Sequence, residues 1–139
     1  MSTENEVHKA SEQFYAALNH LFNGNASSME GIWSKDSTIT VLQPIGGRTV
    51  GWDDIREAYR DIAQIAENGQ VKLDDQIIQV IGDVAYEVGV ERGQAAFAGN
   101  QVTLDYRVTN IYRREAGGWK IVHHHTDISP AMIEFLNQT

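Results

Sequence analysis

The chain has 139 residues, enough for one domain around one core. Its 11 Lys and Arg against 19 Asp and Glu give a formal charge of −8, which repels phosphate and argues against a nucleic-acid partner or an anionic membrane face. Cysteine is absent, so disulfides, thiolate zinc centres and cysteine nucleophiles are excluded together. No apolar run approaches the roughly 20 residues of a membrane span. The segment from Met1 to Ala10 lacks the apolar stretch of a signal peptide, so a cytoplasmic location is expected.

Three helical segments come first and a run of strands follows, which predicts an α+β fold with helices on one face of a mostly antiparallel sheet. The first helix is expected after Thr3, with Thr3 and Glu6 at capping-box spacing. Val7, Ala10, Phe14, Ala17, Leu18 and Leu21 recur at helical spacing, and Asn23-Gly24 is the expected stop. A short second helix follows, with Ser27 and Glu30 as another capping box. Thr38 to Leu42 reads as a strand, and Arg48 to Val50 as its short hairpin partner. The third helix starts at Asp53 and Asp54, carries the stripe Ile55, Ala58, Tyr59, Ile62 and Ile65, and should end at Asn68-Gly69.

Four longer strands complete the pattern. The first runs from Val71 to Val80 and slips phase near Gln76 to Ile78, which predicts a bulge. Val84, Tyr86, Val88 and Val90 share one face of the second. The third places Val102, Leu104, Tyr106 and Val108 on one face and Thr103, Asp105, Arg107, Thr109 and Ile111 on the other. Gly117-Gly118 turns into the fourth, from Trp119 to Asp127, and Pro130 opens an apolar tail with Met132, Ile133, Phe135 and Leu136. Helices can cover only one face of such a sheet. A homodimer is expected, with helices over the concave face and a second copy of the sheet over the convex one; a higher oligomer is the other option.

The order helix, helix, strand, helix and four strands resembles the nuclear transport factor 2-like superfamily. Phe14 to Asn19, Gly51 to Tyr59, Asp83 to Gly89 and Gly118 to His125 carry the likeness. The nearest groups are the SnoaL-like domains and the association domain of calcium/calmodulin-dependent protein kinase type II. The resemblance implies a cone: a strongly curved sheet wrapped around the helices, leaving a pocket. Ketosteroid isomerases share that fold. Their tyrosine donor falls at Phe14, their base near Gln43 and their protonated Asp near Asn110 or Ile111, so none of the three is matched in type. The association domain's basic pocket falls partly at Val88 and Thr109, with Arg107 two residues from the latter. The likeness points Asp105, Arg107 and Thr109, with His123 and His125, toward the interior.

His123, His124 and His125 form the most unusual string, and three readings of it stay open. His123, His125 and Asp127 share a strand face and offer a nitrogen and oxygen set for iron or zinc, although one ion cannot readily reach all three. One of the two histidines can instead serve as acid or base, oriented by Asp105 or Asp127, with Arg107 stabilising developing charge. Or the histidines are satisfied by hydrogen bonds in a polar floor, without chemistry. Tyr15, Tyr59 and Tyr86 can add hydroxyl donors. Trp33, Trp52 and Trp119 can line a pocket or simply pack in the core. No cofactor motif is present, and neither Gly46-Gly47 nor Gly117-Gly118 has a phosphate-loop pattern. The expected ligand is a small, largely apolar carbonyl compound handled by cofactor-independent proton transfer. The alternative is a non-catalytic binding or assembly module.

Overall fold

The protein is described by a computed structural model covering residues 2–137. The side chains of Phe135 and Leu136, expected in the apolar tail, lie outside the described ones. Helix α1 (Thr3–Leu21) is capped by Ser2, whose hydroxyl accepts from the Asn5 amide at 3.2 Å. The cap is thus one residue earlier than expected, because Ser2 is the residue with extended backbone. Gly24 ends the segment with φ +92°. A 3-10 turn (Ser27–Gly31) follows without the expected box; the Asn25 side chain takes the Ser27 amide and hydroxyl instead, at 2.9 and 2.6 Å.

Strands β1 (Thr40–Leu42) and β2 (Thr49–Val50) pair antiparallel. Helix α2 (Trp52–Ile65) carries Asp53 and Asp54 in its first turn, where the helix dipole favours them. It stops short of Asn68-Gly69 and runs straight into β3 (Ala66–Ile81). The reason is local. Gly69 donates its amide to Phe22 O at 3.2 Å, and a Cβ there would lie 2.2 Å from Phe22 Cβ. The glycine permits a close approach to the end of α1 instead of ending a helix.

Strands β4 (Val84–Phe97), β5 (Asn100–Glu115) and β6 (Gly118–Thr126) and helix α3 (Pro130–Asn137) complete the chain. The open sheet has the order β2-β1-β6-β5-β4-β3, antiparallel except for the parallel β1–β6 pair. The expected bulge is present between Asp74 and Ile77, where Asp75 takes φ +56°. Further register shifts lie between Glu67 and Gln70 and beside Ile111. They bend long strands around the helices. Close strand approach adds to the bend: a Cβ at Gly93 would stand 1.9 Å from the Gln70 carbonyl oxygen. No helix among the described residues is long and apolar enough to cross a membrane.

The helices cover one face. Val7, Phe14 and Leu18 of α1 and Ile55 and Tyr59 of α2 pack with Ala85, Leu104, Tyr112 and Ile121 of the sheet. On β5 the buried positions run Val102, Leu104, Tyr106, Val108, Asn110, Tyr112. This reverses one expectation. Asp105, Arg107, Thr109, His123 and His125 occupy the opposite, outer face. The apolar alternation of β5 sets the face, because burying Val102 to Val108 removes far more apolar area from water than burying the charged positions between them.

Candidate functional site

The inward polar side chains join into one network. Glu87, fully buried on β4, accepts from four donors: Ser11 Oγ at 2.5 Å, Gln76 Nε2 at 2.6 Å, Tyr112 OH at 2.8 Å and Asn110 Nδ2 at 2.9 Å. That pattern suits a carboxylate, which is an acceptor on every side. Asn110 Nδ2 also reaches Tyr15 OH at 3.0 Å, and Tyr15 donates to Glu91 Oε2 at 2.8 Å. Asn110 Oδ1 lies 2.6 Å from His124 Nδ1. Side chains from α1, β3, β4, β5 and β6 thus meet in one hydrogen-bonded chain, as buried polar groups require.

Burial tunes the ionisable members. Glu91 is 2% exposed, and loss of hydration pushes its carboxyl up to about 7. The Tyr15 and Tyr106 hydroxyls partly offset that shift, and the neighbouring Glu87 adds to it. Burial lowers His124 to about 3, with smaller contributions from His123 and His125, so its imidazole is neutral. Burial also raises Tyr15, Tyr59, Tyr106 and Tyr112, which therefore remain hydroxyl donors.

Beside this network lies a cavity of about 280 Å³. Leu18, Phe22, Ile62 and Phe97 give it apolar walls, the Gln43–Gly46 loop and Met132 of α3 border it, and Glu91, Tyr106, His124 and Tyr59 line it with polar side chains, as do Thr49 and Asp61. No Lys or Arg is among its described lining residues. The Tyr59 hydroxyl is buried there without a hydrogen-bond partner. The Trp33 indole nitrogen is near enough to influence it, yet the geometry bonds neither atom.

The residues expected from sequence divide between the faces. Tyr59 lines the cavity, Tyr15 supports Glu91 from behind, and Trp33 packs behind Tyr59 with ring centroids 6.1 Å apart. Tyr86, Val88 and Thr109 lie on the outer face, beside His123 and His125 in the strand register. There the rings of His123 and His125 sit 5.9 Å apart, and His123 Nδ1 meets Thr40 Oγ1 at 2.6 Å. Arg107, its side chain 81% exposed, pairs with Asp127 at 2.8 Å. Asp105 faces Arg92 at 3.7 Å rather than a histidine. Among the described residues no group of three or more His, Asp or Glu is arranged to hold a metal ion.

Glu87, Glu91, Asn110 and His124 were not among the expected site residues. A signal for the glutamates does exist. They share a phase of β4 with Ala85, Gly89, Gly93 and Ala95, small residues where a strand is crowded by its neighbours. A glutamate in such a phase is pressed inward.

Glu91 and His124 shape stability in opposite senses. Glu91 holds its proton more tightly when folded, so its contribution is complete below about 4.5 and is lost as pH rises through about 7. His124 binds its proton more weakly when folded, so its contribution is present above about 6.5 and is lost as pH falls toward about 3. Between about 4.5 and 6.5 these two contributions oppose and nearly cancel, so the profile there is shallow, with only the smaller rise from His123, which burial also lowers. Glu91→Gln leaves His124 unopposed, so unfolding free energy then rises by about 2 kcal/mol across that window. Urea titrations at several pH values check this; a flat profile in both proteins contradicts it.

The SnoaL-like domain model matches residues 7–132. Among the curated proteins none matches this chain. Among solved structures, a proposed dehydratase of the nuclear transport factor 2-like family from Streptomyces avermitilis shares 24% identity at a TM-score of 0.79, covering 91% of this chain and 96% of its own. A proposed association domain of calcium/calmodulin-dependent protein kinase type II from Thiobacillus denitrificans shares 26% at 0.67, covering 86% and 92%. A proposed ketosteroid isomerase from Shewanella frigidimarina shares 17% at 0.71, covering 88% and 94%. The dehydratase and isomerase likenesses establish the fold.

Proposed function

Because the chain belongs to the SnoaL-like domain family, we propose that its cone takes up a small, largely apolar carbonyl compound and that Glu91 moves a proton on it. The observation that carries this reading is Glu91 itself: a buried carboxyl at the cavity wall, poised near neutrality. A proton-transfer group works best with its pKa close to the working pH. Tyr59 supplies the second element, a buried hydroxyl with its hydrogen bond unmade. Glu91 as carboxylate takes a proton from the carbon beside the carbonyl. The C–H electron pair moves toward the carbonyl oxygen, and Tyr59 OH donates to the enolate oxygen that forms. In a β,γ-unsaturated ketone Glu91 returns the proton to the γ-carbon and the double bond shifts into conjugation; in a β-hydroxy ketone it gives the proton to the departing hydroxyl, which leaves as water with the C–O electron pair.

The isomerase and dehydratase among the neighbours fit this chemistry. Gln43, near the position expected for the isomerase base, lines the cavity but cannot take a proton; Glu91 fills that role from strand β4. The test is exchange of ketone α-protons in deuterated water, followed by proton NMR over a set of cyclic ketones. Protein-dependent exchange is expected. Failure of every ketone both to bind and to exchange contradicts the reading.

The outer face supports a second proposal, a homodimer through the sheet. Ile77, Val84 and Tyr86 are exposed there, and the strand register sets Val88 and Ile111 beside them. This apolar patch fits a second copy of the same sheet. Sedimentation velocity is expected to give a dimer; a monomer at every concentration contradicts it.

A further inference from the structure

We propose that the cavity selects a hydroxylated ketone, because Glu87 acts through Asn110 to fix His124 in the tautomer that leaves a bare acceptor nitrogen for the ligand. This rests on the carbonyl-binding reading above and narrows it to a ligand class.

Glu87 anchors the network. Ser11, Gln76, Tyr112 and Asn110 surround its two oxygens with donors. The group 2.9 Å from Glu87 Oε1 must therefore be the Asn110 NH2, since the amide oxygen there would set two acceptors face to face. Tyr15 agrees with that orientation, because its own proton goes to Glu91 and its oxygen is left to accept from the same NH2. Asn110 Oδ1 is then the atom that meets His124 Nδ1 at 2.6 Å. An amide oxygen only accepts, so Nδ1 carries the hydrogen. The buried ring is neutral and holds one N–H, so Nε2 carries a lone pair. Phe14 packs on the ring with centroids 5.2 Å apart and fixes its plane.

His124 lines the cavity, and Nδ1 is already bonded, so Nε2 is the ring atom left for a ligand. The cavity therefore offers an acceptor at His124 and a donor at Tyr59. A ketone satisfies Tyr59 alone. A ketone that also carries a hydroxyl satisfies both. No Lys or Arg is among the described lining residues while Glu91 is, so the ligand is uncharged rather than a carboxylate.

Two measurements test this. The first is nitrogen-15 NMR of the histidine rings. In the native protein His124 is expected to show a protonated Nδ1 and an unprotonated Nε2. Asn110→Leu removes the oxygen that holds Nδ1–H, so His124 is expected to move to the Nε2–H tautomer. The second is calorimetric binding of α-tetralone, its ring-hydroxylated isomers and their methoxy forms. The best hydroxylated isomer is expected to bind about tenfold more tightly than α-tetralone or its methoxy form, a single well-made hydrogen bond. In Asn110→Leu the preference for the hydroxyl over the methoxy form disappears while α-tetralone binding persists. An Nε2–H tautomer in the native protein, or equal affinities across the series, overturns this inference alone. Failure of every tetralone to bind overturns the carbonyl reading beneath it.

Discussion

Replacing Glu91 by Gln is expected to slow ketone α-proton exchange by about 10²–10⁴-fold, the usual contribution of a positioned acid or base. The substitution keeps the size of the side chain and an oxygen to accept from Tyr15 OH, which bonds Glu91 Oε2 at 2.8 Å. The fold and the cavity are retained, and ketone affinity changes little. What is lost is the group that holds a proton. The native rate carries the signature of that group, rising as pH passes through about 7 and Glu91 becomes the carboxylate base. The Glu91→Gln protein lacks this rise. Exchange at the native rate in Glu91→Gln excludes Glu91 as the proton carrier.

Replacing Glu87 by Leu is expected to destabilise the protein by about 4 kcal/mol. Leu is similar in length, so the effect is not a large void. It comes from four donors losing their acceptor at once: Ser11 Oγ, Gln76 Nε2, Asn110 Nδ2 and Tyr112 OH. A buried donor left unmatched costs about 1–3 kcal/mol, and some of the four can find another partner by moving. In a domain of this size the loss corresponds to a fall in Tm of about 15 °C. Scanning calorimetry reads it directly. Glu87→Gln, which keeps an acceptor oxygen, is expected to lose much less. Equal losses in the two variants show that size and not hydrogen bonding governs the site.

The element order was legible in the sequence because the apolar periods of α1, α2, β4 and β5 are regular. The bulge in β3 was legible for the same reason: an alternation that breaks phase at Gln76 has to be repaired by an extra residue. Which face of the sheet looks inward was not. On β5 both faces hold groups that chemistry can use, Asp105, Arg107 and Thr109 on one and Tyr106, Asn110 and Tyr112 on the other. Alternation gives the two sets but not their direction. The direction is set by α1 and α2, whose apolar stripes share one core with Val102, Leu104 and Tyr106, a contact between distant parts of the chain. Asn110 and His124 were named in the sequence but not assigned to the site, because each resembles a strand polar group until Glu87 is beside them. His124 points away from His123 and His125, so a string of three histidines divides between two environments. One is buried and neutral, and the others share the outer surface.

The central claim is that the working site is the interior cavity and not the histidine-bearing outer face. Chemical-shift mapping with α-tetralone tests it most directly, because one titration reports both faces. The predicted result is saturable shifts at Tyr59, Glu91 and His124, with His123, His125 and Arg107 unmoved. Saturable shifts at His125, Thr109 and Arg107, with Glu91 and Tyr59 unmoved, contradict it.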